Sequence, residues 1–391
     1  MGPPPPVPRS PHTHHAKPLE GKITLSATHP PARGTSTHVA ITRPAVVVPE
    51  HVVTQDEIVT ALGELFADVP HVERGLSLIR STTVETRRLV AGLEEIFSER
   101  SFGVRNASYA EEVVRLGSEA ARQALDAAGV AAAEVDHLVF VSCTGYSLPG
   151  PDAYIAQEIG CRPTMRRTPI QQLGCAAGVS AMAEAFNFLQ AYPDATVLAV
   201  AAELSSLSFQ PDESTLSDFI SNGIFGDGAA AAVLRRADAA STGFHMWGAR
   251  QHLLPASQSV IAGQTTERGF HFKTDPRVRN TVPKVIPEIE SFLAEFGTKP
   301  GDLGFCVSHT GGPLIMDGVE KGLSLPDGAL RHSRESMARI GNTSSVSVFD
   351  VLRRHHDEGS PEHASPGLVV AFGPGFTTEM IVGAWNEGTG G

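Results

Sequence analysis

A cysteine stands in the stretch Thr168-Pro-Ile-Gln-Gln-Leu-Gly-Cys175-Ala-Ala-Gly178, where a short apolar segment turns at Gly174 and a small-residue helix begins. A thiol there faces unpaired backbone N–H groups and the positive end of a helix dipole, and both favour the thiolate. Ala176, Ala177 and Gly178 let other segments come close. A buried, inert cysteine fits this segment equally well, because free cysteine is commonly a core residue. Two more residues occupy the same kind of place, after or within strand-to-helix turns: His309 follows the apolar run Leu303–Ser308, and Asn342 lies in Gly341-Asn342-Thr-Ser344-Ser345. A cysteine nucleophile for acyl transfer needs a base or cation to hold its thiolate, which a histidine supplies. Decarboxylating a carboxylated thioester builds an enolate oxygen that needs donors aimed at it. An imidazole N–H and a carboxamide both qualify, the carboxamide without altering the proton count. A structural histidine and a turn-forming asparagine are the plain alternatives.

The elements that must position these residues read as layered α/β. Thr54, with Glu57 three residues on, forms a capping box for a helix; Val72–Arg80 is a second short helix, and Thr83–Val90 has strand character. Arg80, Arg87 and Arg88 could meet phosphates at a pocket mouth or serve as solvated surface charge. A long helix is expected from Ser108 to Ala128, capped by Ser108 with Glu111 and ended by Gly129. Buried strands follow at Asp136–Cys143 and Ala195–Ala202. The first leads into the glycine- and proline-rich loop Thr144–Pro151, a usual place for site residues. Phe225-Gly-Asp-Gly228 turns into a further strand, Arg235–Gly243 marks a domain boundary, and alternation resumes through Leu303–His309 and Pro366–Phe376. Strand–Cys–helix in the first half is matched by strand–His–helix in the second.

The 391 residues, 41% hydrophobic and 19% charged, suit one large domain or two in close contact. A formal net charge of -12 argues against a general nucleic-acid binder. Cys143, Cys161, Cys175 and Cys306 are too scattered for a disulfide framework or a zinc finger and suit a reducing, cytoplasmic compartment. Residues 1–35, rich in proline and carrying His12, His14 and His15, read as a flexible tail without a signal-peptide core. No run is long and apolar enough to predict a membrane span.

Taken in order, Gln172-Leu-Gly-Cys175-Ala-Ala-Gly178, Phe225-Gly-Asp-Gly228, Gly269-Phe-His-Phe272, His309-Thr-Gly-Gly, Gly341-Asn342-Thr-Ser344-Ser and Gly373-Pro-Gly375 resemble the bacterial type III polyketide synthases. These are chalcone-synthase-like enzymes of the thiolase superfamily, and the resemblance spans residues 36–385. It implies an α/β, duplicated αβαβα layered fold, with a nucleophile domain over 36–240 and a domain carrying His and Asn over 241–391. Cys175 would carry the acyl chain, with His309 and Asn342 supporting thiolate formation and malonyl decarboxylation. Phe225 and Phe270 match two gatekeepers between a coenzyme A tunnel and the cavity. Cys143, Thr144, Ser205, Ser208, Gly263 and Ser344 match cavity-lining positions, and Phe372, Gly373, Pro374 and Gly375 a scaffolding loop. Met165 matches a contact across the family's dimer interface.

The implied reaction is iterative decarboxylative condensation of malonyl-CoA onto a CoA-linked starter, closing to an aromatic or pyrone product in a homodimer. It needs no metal and no permanently bound cofactor, since coenzyme A thioesters are the substrates. The cations that hold coenzyme A phosphates in plant members do not align cleanly, which leaves Arg80, Arg87 and Arg88 as candidates. Cys143-Thr-Gly-Tyr146 departs from the hydroxyl residues usual in plants and resembles synthases that make tetrahydroxynaphthalene from malonyl units; a cavity for fatty starters would fit as well. An initiating ketoacyl-carrier-protein synthase shares Cys, His and Asn, but the glycine-proline loop and the Phe225 context favour the coenzyme A branch. A non-catalytic acyl-binding or assembly protein is the alternative of a different class.

Overall fold

Every residue of Val197–Leu204 is buried, which requires a strand covered on both faces. The computed structural model shows what covers it; the described residues are 37–388 apart from Glu99 and Asp212, so the expected tail over 1–35 lies outside them. In chain order the strands are β1 Val39–Ile41, β2 Ala45–Val47, β3 His51–Thr54, β4 Thr86–Leu89, β5 His137–Val141, β6 Arg166–Ile170 and β7 Val197–Leu204. They continue as β8 Asp227–Arg236, β9 Gly243–Leu253, β10 Ile261–Thr266, β11 Gly269–Thr274, β12 Phe305–Ser308, β13 Pro366–Gly373 and β14 Thr377–Asn386. One sheet runs β12-β13-β14-β9-β1-β8-β7-β5-β6, with β2 also on β8, while β3–β4 and β10–β11 are separate ribbons. Pairing is parallel at its two ends, β7 with β5, β5 with β6, and β12 with β13. Between them it is antiparallel.

Strand alternation sorts side chains into three cores. On β7, Leu198, Val200 and Ala202 face a core shared with the Phe102–Ala128 helix. Val197, Ala199 and Ala201 face a second core, shared with the Ala177–Ala191 and Ser347–Asp357 helices. Val369 and Ala371 of β13 join that second core from the other side, while Leu368, Val370 and Phe372 face a third with the Val282–Ala294 helix. Two helices thus lie between the sheet's two ends, with further helices outside each. This is the expected layered α/β arrangement.

Local boundaries differ from expectation for identifiable reasons. The long helix starts at Phe102, and Ser101 is its cap, accepting the Val104 N–H at 3.3 Å. Ser108 lies inside the helix and donates to the Val104 carbonyl at 3.3 Å. Strand β4 is shorter than Thr83–Val90 because Thr83 has φ 64°, a left-handed conformation no strand can hold. The Thr54–Glu57 capping box and the left-handed Gly129 cap form as expected. Among the described residues no helix is long and apolar enough to cross a membrane.

The two central helices bring the site together because they nearly touch. A Cβ at Gly178 would lie 2.1 Å from the Ser345 carbonyl oxygen and 2.8 Å from Val348 Cγ2. Gly178→Ala should therefore cost about 1–3 kcal/mol by overpacking. Gly92→Ala, whose Cβ would meet nothing within 4 Å, should cost little. Denaturant midpoints of the two variants check the contrast.

Candidate active site

Gly174–Ala176 form a tight 3-10 turn that runs straight into the Ala177–Ala191 helix, with Cys175 at its middle. The turn is backed by the chain after β13. A Cβ at Gly174 (φ 52°) would lie 2.8 Å from the Pro374 ring, and one at Gly373 would lie 2.3 Å from the Leu173 carbonyl. These two glycines permit a contact no larger residue could make. The neighbouring Phe372 donates its N–H to His309 Nδ1 at 3.4 Å, and the two rings lie edge-on at 5.6 Å. The Phe372–Gly375 loop therefore presses on the cysteine turn and holds the histidine at once.

Asn342 arrives from the opposite side. Its backbone N–H donates to Ile224 at 2.7 Å and its carbonyl accepts from Gly226 at 3.1 Å, which pairs it with Phe225. Its side-chain oxygen accepts the Ser344 N–H at 2.9 Å and the Thr310 hydroxyl at 3.5 Å. The amide NH2 is thereby left to donate elsewhere, and it and the Ser344 hydroxyl stand near enough to Cys175 to favour its thiolate. Thr310 is the residue after His309, so His309 and Cys175 are linked along two routes, through Phe372–Gly373 and through Thr310–Asn342. With Nδ1 accepting, neutral His309 carries its proton on Nε2 and is a donor there.

A carboxylate sits at the heart of this arrangement. Glu203, fully buried on β7, accepts the Cys143 N–H at 3.0 Å and the hydroxyls of Thr144 at 3.1 Å, Ser345 at 2.6 Å and Ser344 at 3.4 Å. Burial raises its pKa, partly offset by these donors. Burial also pushes the Cys175 thiol up to about 11; Ser344 and Asn342 pull it back, and the Glu203 charge pushes it further. Cys143 is raised well above the ordinary thiol range by burial, then by Glu203 and by Cys175. His309 is drawn down to about 4 by burial. At neutral pH the thiol and the imidazole are thus both uncharged at rest. The backbone N–H at the turn favours the thiolate as expected, and burial outweighs it.

Comparison with known proteins agrees with this geometry. Residues 26–238 match the chalcone and stilbene synthase N-terminal domain and residues 245–384 the C-terminal domain. The chain belongs to the chalcone and stilbene synthase family. It is 39% identical over 349 residues to a 1,3,6,8-tetrahydroxynaphthalene synthase of Streptomyces griseus, covering 89% of this chain and 93% of that one. It is 37% identical over 343 residues to a phloroglucinol synthase of Pseudomonas fluorescens, covering 88% and 98%. The crystal structure of the Streptomyces coelicolor 1,3,6,8-tetrahydroxynaphthalene synthase, a bacterial type III polyketide synthase, superposes with a TM-score of 0.86 at 38% identity, covering 89% and 99%. Like this family, the chain is an acyltransferase that condenses malonyl-CoA onto a CoA-linked starter and closes the product to an aromatic or pyrone.

Within the family framework the remaining expected residues divide. Thr144 and Ser344 are buried around Glu203, and Cys143 lies beside them. Ser205 and Ser208 lie half-buried in the turn after Glu203, where Ser208 donates to the Thr144 carbonyl at 3.4 Å. Asp227 holds that turn through the Ser206 N–H at 2.9 Å and hydroxyl at 2.5 Å, and burial lifts its pKa to about 6. Phe225 and Phe270 are half-buried, and Phe270 borders a cavity that also touches Tyr109, Thr144 and Leu207. Gly263 does not join them: it is exposed on β10, opposite Phe272.

Arg87 is corrected. It is fully buried, its guanidinium spent on the carbonyls of Asn222 at 3.1 Å and Gly223 at 2.9 Å and on Gln55, so it cannot reach a phosphate at a pocket mouth. Burial lowers its pKa to about 10. Arg80 is exposed and Arg88 half-buried. Glu203 was missed as a site residue, though its signal was visible: one carboxylate in an otherwise apolar buried strand.

These shifts predict opposite effects of two substitutions on Cys175 alkylation by iodoacetamide at pH 8. Ser344→Ala removes a donor that stabilises the thiolate, so the pKa rises and alkylation slows. Glu203→Gln removes the opposing negative charge, so the pKa falls and alkylation quickens. Each change should be about three- to tenfold, equivalent to half to one pKa unit. Rates measured across pH 7–11 check both the direction and the high wild-type midpoint.

Proposed function

We propose that this chain builds its product from malonyl units and closes it to a fused aromatic of the 1,3,6,8-tetrahydroxynaphthalene type. The supporting observation is Cys143, a second buried thiol near enough to Cys175 for the Cys175 charge to oppose its ionisation. It is joined by the names of two relatives, at 39% and 38% identity. In the proposed cycle Cys175 Sγ takes an acyl group from coenzyme A, releasing free CoA. Malonyl-CoA then loses carbon dioxide while His309 Nε2–H and the Asn342 amide donate to the enolate oxygen that forms. The enolate carbon attacks the Cys175 thioester, the C–S bond breaks, and the lengthened chain leaves on coenzyme A to be reloaded. When Cys175 is acylated its thiol proton leaves on the released coenzyme A thiol, so His309 keeps the Nε2 proton that it donates.

Phe225 and Phe270 act as the gate in this cycle, and Arg80 and Arg88 remain the candidates for the coenzyme A phosphates. The nucleophile half ends near residue 240 and the histidine–asparagine half follows. The enzyme works in the cytoplasm as a homodimer. Strand β6 lies at the sheet edge with its side chains largely exposed, Met165 precedes it, and Tyr146, Leu148 and Tyr154 are exposed apolar residues.

Incubation with malonyl-CoA alone, followed by mass analysis of the products, tests the proposal. A tetrahydroxynaphthalene product is expected. A single-ring trihydroxybenzene from malonyl-CoA would overturn the fused-ring reading. Pyrones or resorcinols formed only with long acyl starters would overturn the malonyl-primed one.

A further inference from the structure

Phe270 stands on the β10–β11 ribbon, which pairs with itself and not with the large sheet, so side chains must fix where the ring stands. The base of the ribbon is tied by the Ser217 hydroxyl to the Thr274 carbonyl at 2.7 Å, and its middle, next to Phe270, by His271 Nδ1 to Glu213 at 2.5 Å. The end that carries Phe270 has a further tie. Gln210, at 4% exposure, donates its amide to the Phe270 carbonyl at 3.0 Å and lies 3.5 Å from the Arg268 carbonyl. Its oxygen accepts from Arg105 Nη2 at 3.3 Å, and Arg105 also donates to the carbonyls of Phe209 at 2.7 Å and Arg268. Phe102, one turn before Arg105, meets the Phe270 ring edge-on at 5.3 Å. The fit is close: a Cβ at Gly269 (φ 127°) would lie 3.1 Å from Phe102 Cδ2, 3.2 Å from Gln210 Nε2 and 3.3 Å from Arg105 Nη2.

We infer that Gln210 is a positioning residue for Phe270, latching the ribbon to the start of the Phe102–Ala128 helix and so setting which acyl groups pass the ring. The carboxamide is used at both ends: its oxygen is oriented by a guanidinium, which leaves its N–H aimed at the Phe270 carbonyl. A side chain of equal length without these groups keeps the packing and loses the latch. The ring could then move relative to Thr144 and Leu207, which share the small cavity beside it. The inference rests on the reading of Phe270 as a gate.

A double-mutant cycle separates the two claims. Wild type, Gln210→Met, Phe270→Ala and the double variant are mixed with acetyl-CoA or hexanoyl-CoA, and single-turnover release of CoA on acylation of Cys175 is measured along with thermal midpoints. Gln210→Met should raise the hexanoyl-to-acetyl rate ratio about three- to tenfold, the effect of one lost buried hydrogen bond. In the Phe270→Ala background the same substitution should change the ratio less than about twofold, because the ring it positions is gone. An unchanged ratio in Gln210→Met, an equal loss of both rates with a lowered midpoint, or the same shift in both backgrounds would overturn the latch while leaving the gate intact. An unchanged ratio in Phe270→Ala would overturn the gate, and the latch with it.

Discussion

A carboxylate held away from water, Glu203, is the constraint around which the site is built. Its charge is tolerable only because donors surround it: one backbone N–H from the end of β5 and hydroxyls from Thr144, Ser344 and Ser345. Those donors come from opposite halves of the chain, so satisfying one side chain also docks the Cys143–Thr144 loop against the turn that carries Asn342. The same charge opposes ionisation of both neighbouring thiols. What secures the geometry therefore works against the reactive anion.

The resting state follows from that balance. A thiol near 11 and an imidazole near 4 leave the pair uncharged at neutral pH. The site then presents donors, Nε2–H of His309 and the amide of Asn342, in surroundings that strengthen every hydrogen bond made to a developing enolate. Tight backbone approach makes this possible. Gly174, Gly178 and Gly373 let the cysteine turn, the asparagine turn and the Phe372–Gly375 loop meet at distances a Cβ would forbid.

Much of this was legible in the sequence. Buried apolar runs marked the main strands, Thr54 with Glu57 marked a cap, and the glycine-flanked Cys175, His309 and Asn342 marked three turns that the fold brings into one network. Arg87 was misjudged because sequence shows charge but not the carbonyls of Asn222 and Gly223 waiting at a helix end. The place of Gly263 opposite Phe272 was not legible because a glycine's neighbours across a ribbon depend on register. Glu203 stood out as a lone carboxylate in an apolar strand, but the partners that make it a site residue lie 59 to 142 positions away. The local N–H groups that favour the Cys175 thiolate are visible in the sequence, while the layers that bury the sulfur and raise its pKa are not.

That Cys175 carries the growing chain is tested most directly by mapping the covalent acyl adduct. The protein is quenched in acid within seconds of mixing with an acyl-CoA, digested, and its peptides weighed. One acyl group per chain on the peptide containing Cys175, absent from Cys175→Ala and slowed in His309→Ala and Asn342→Ala, is the expected result. An adduct confined to Cys143, or none while product still forms, would contradict it.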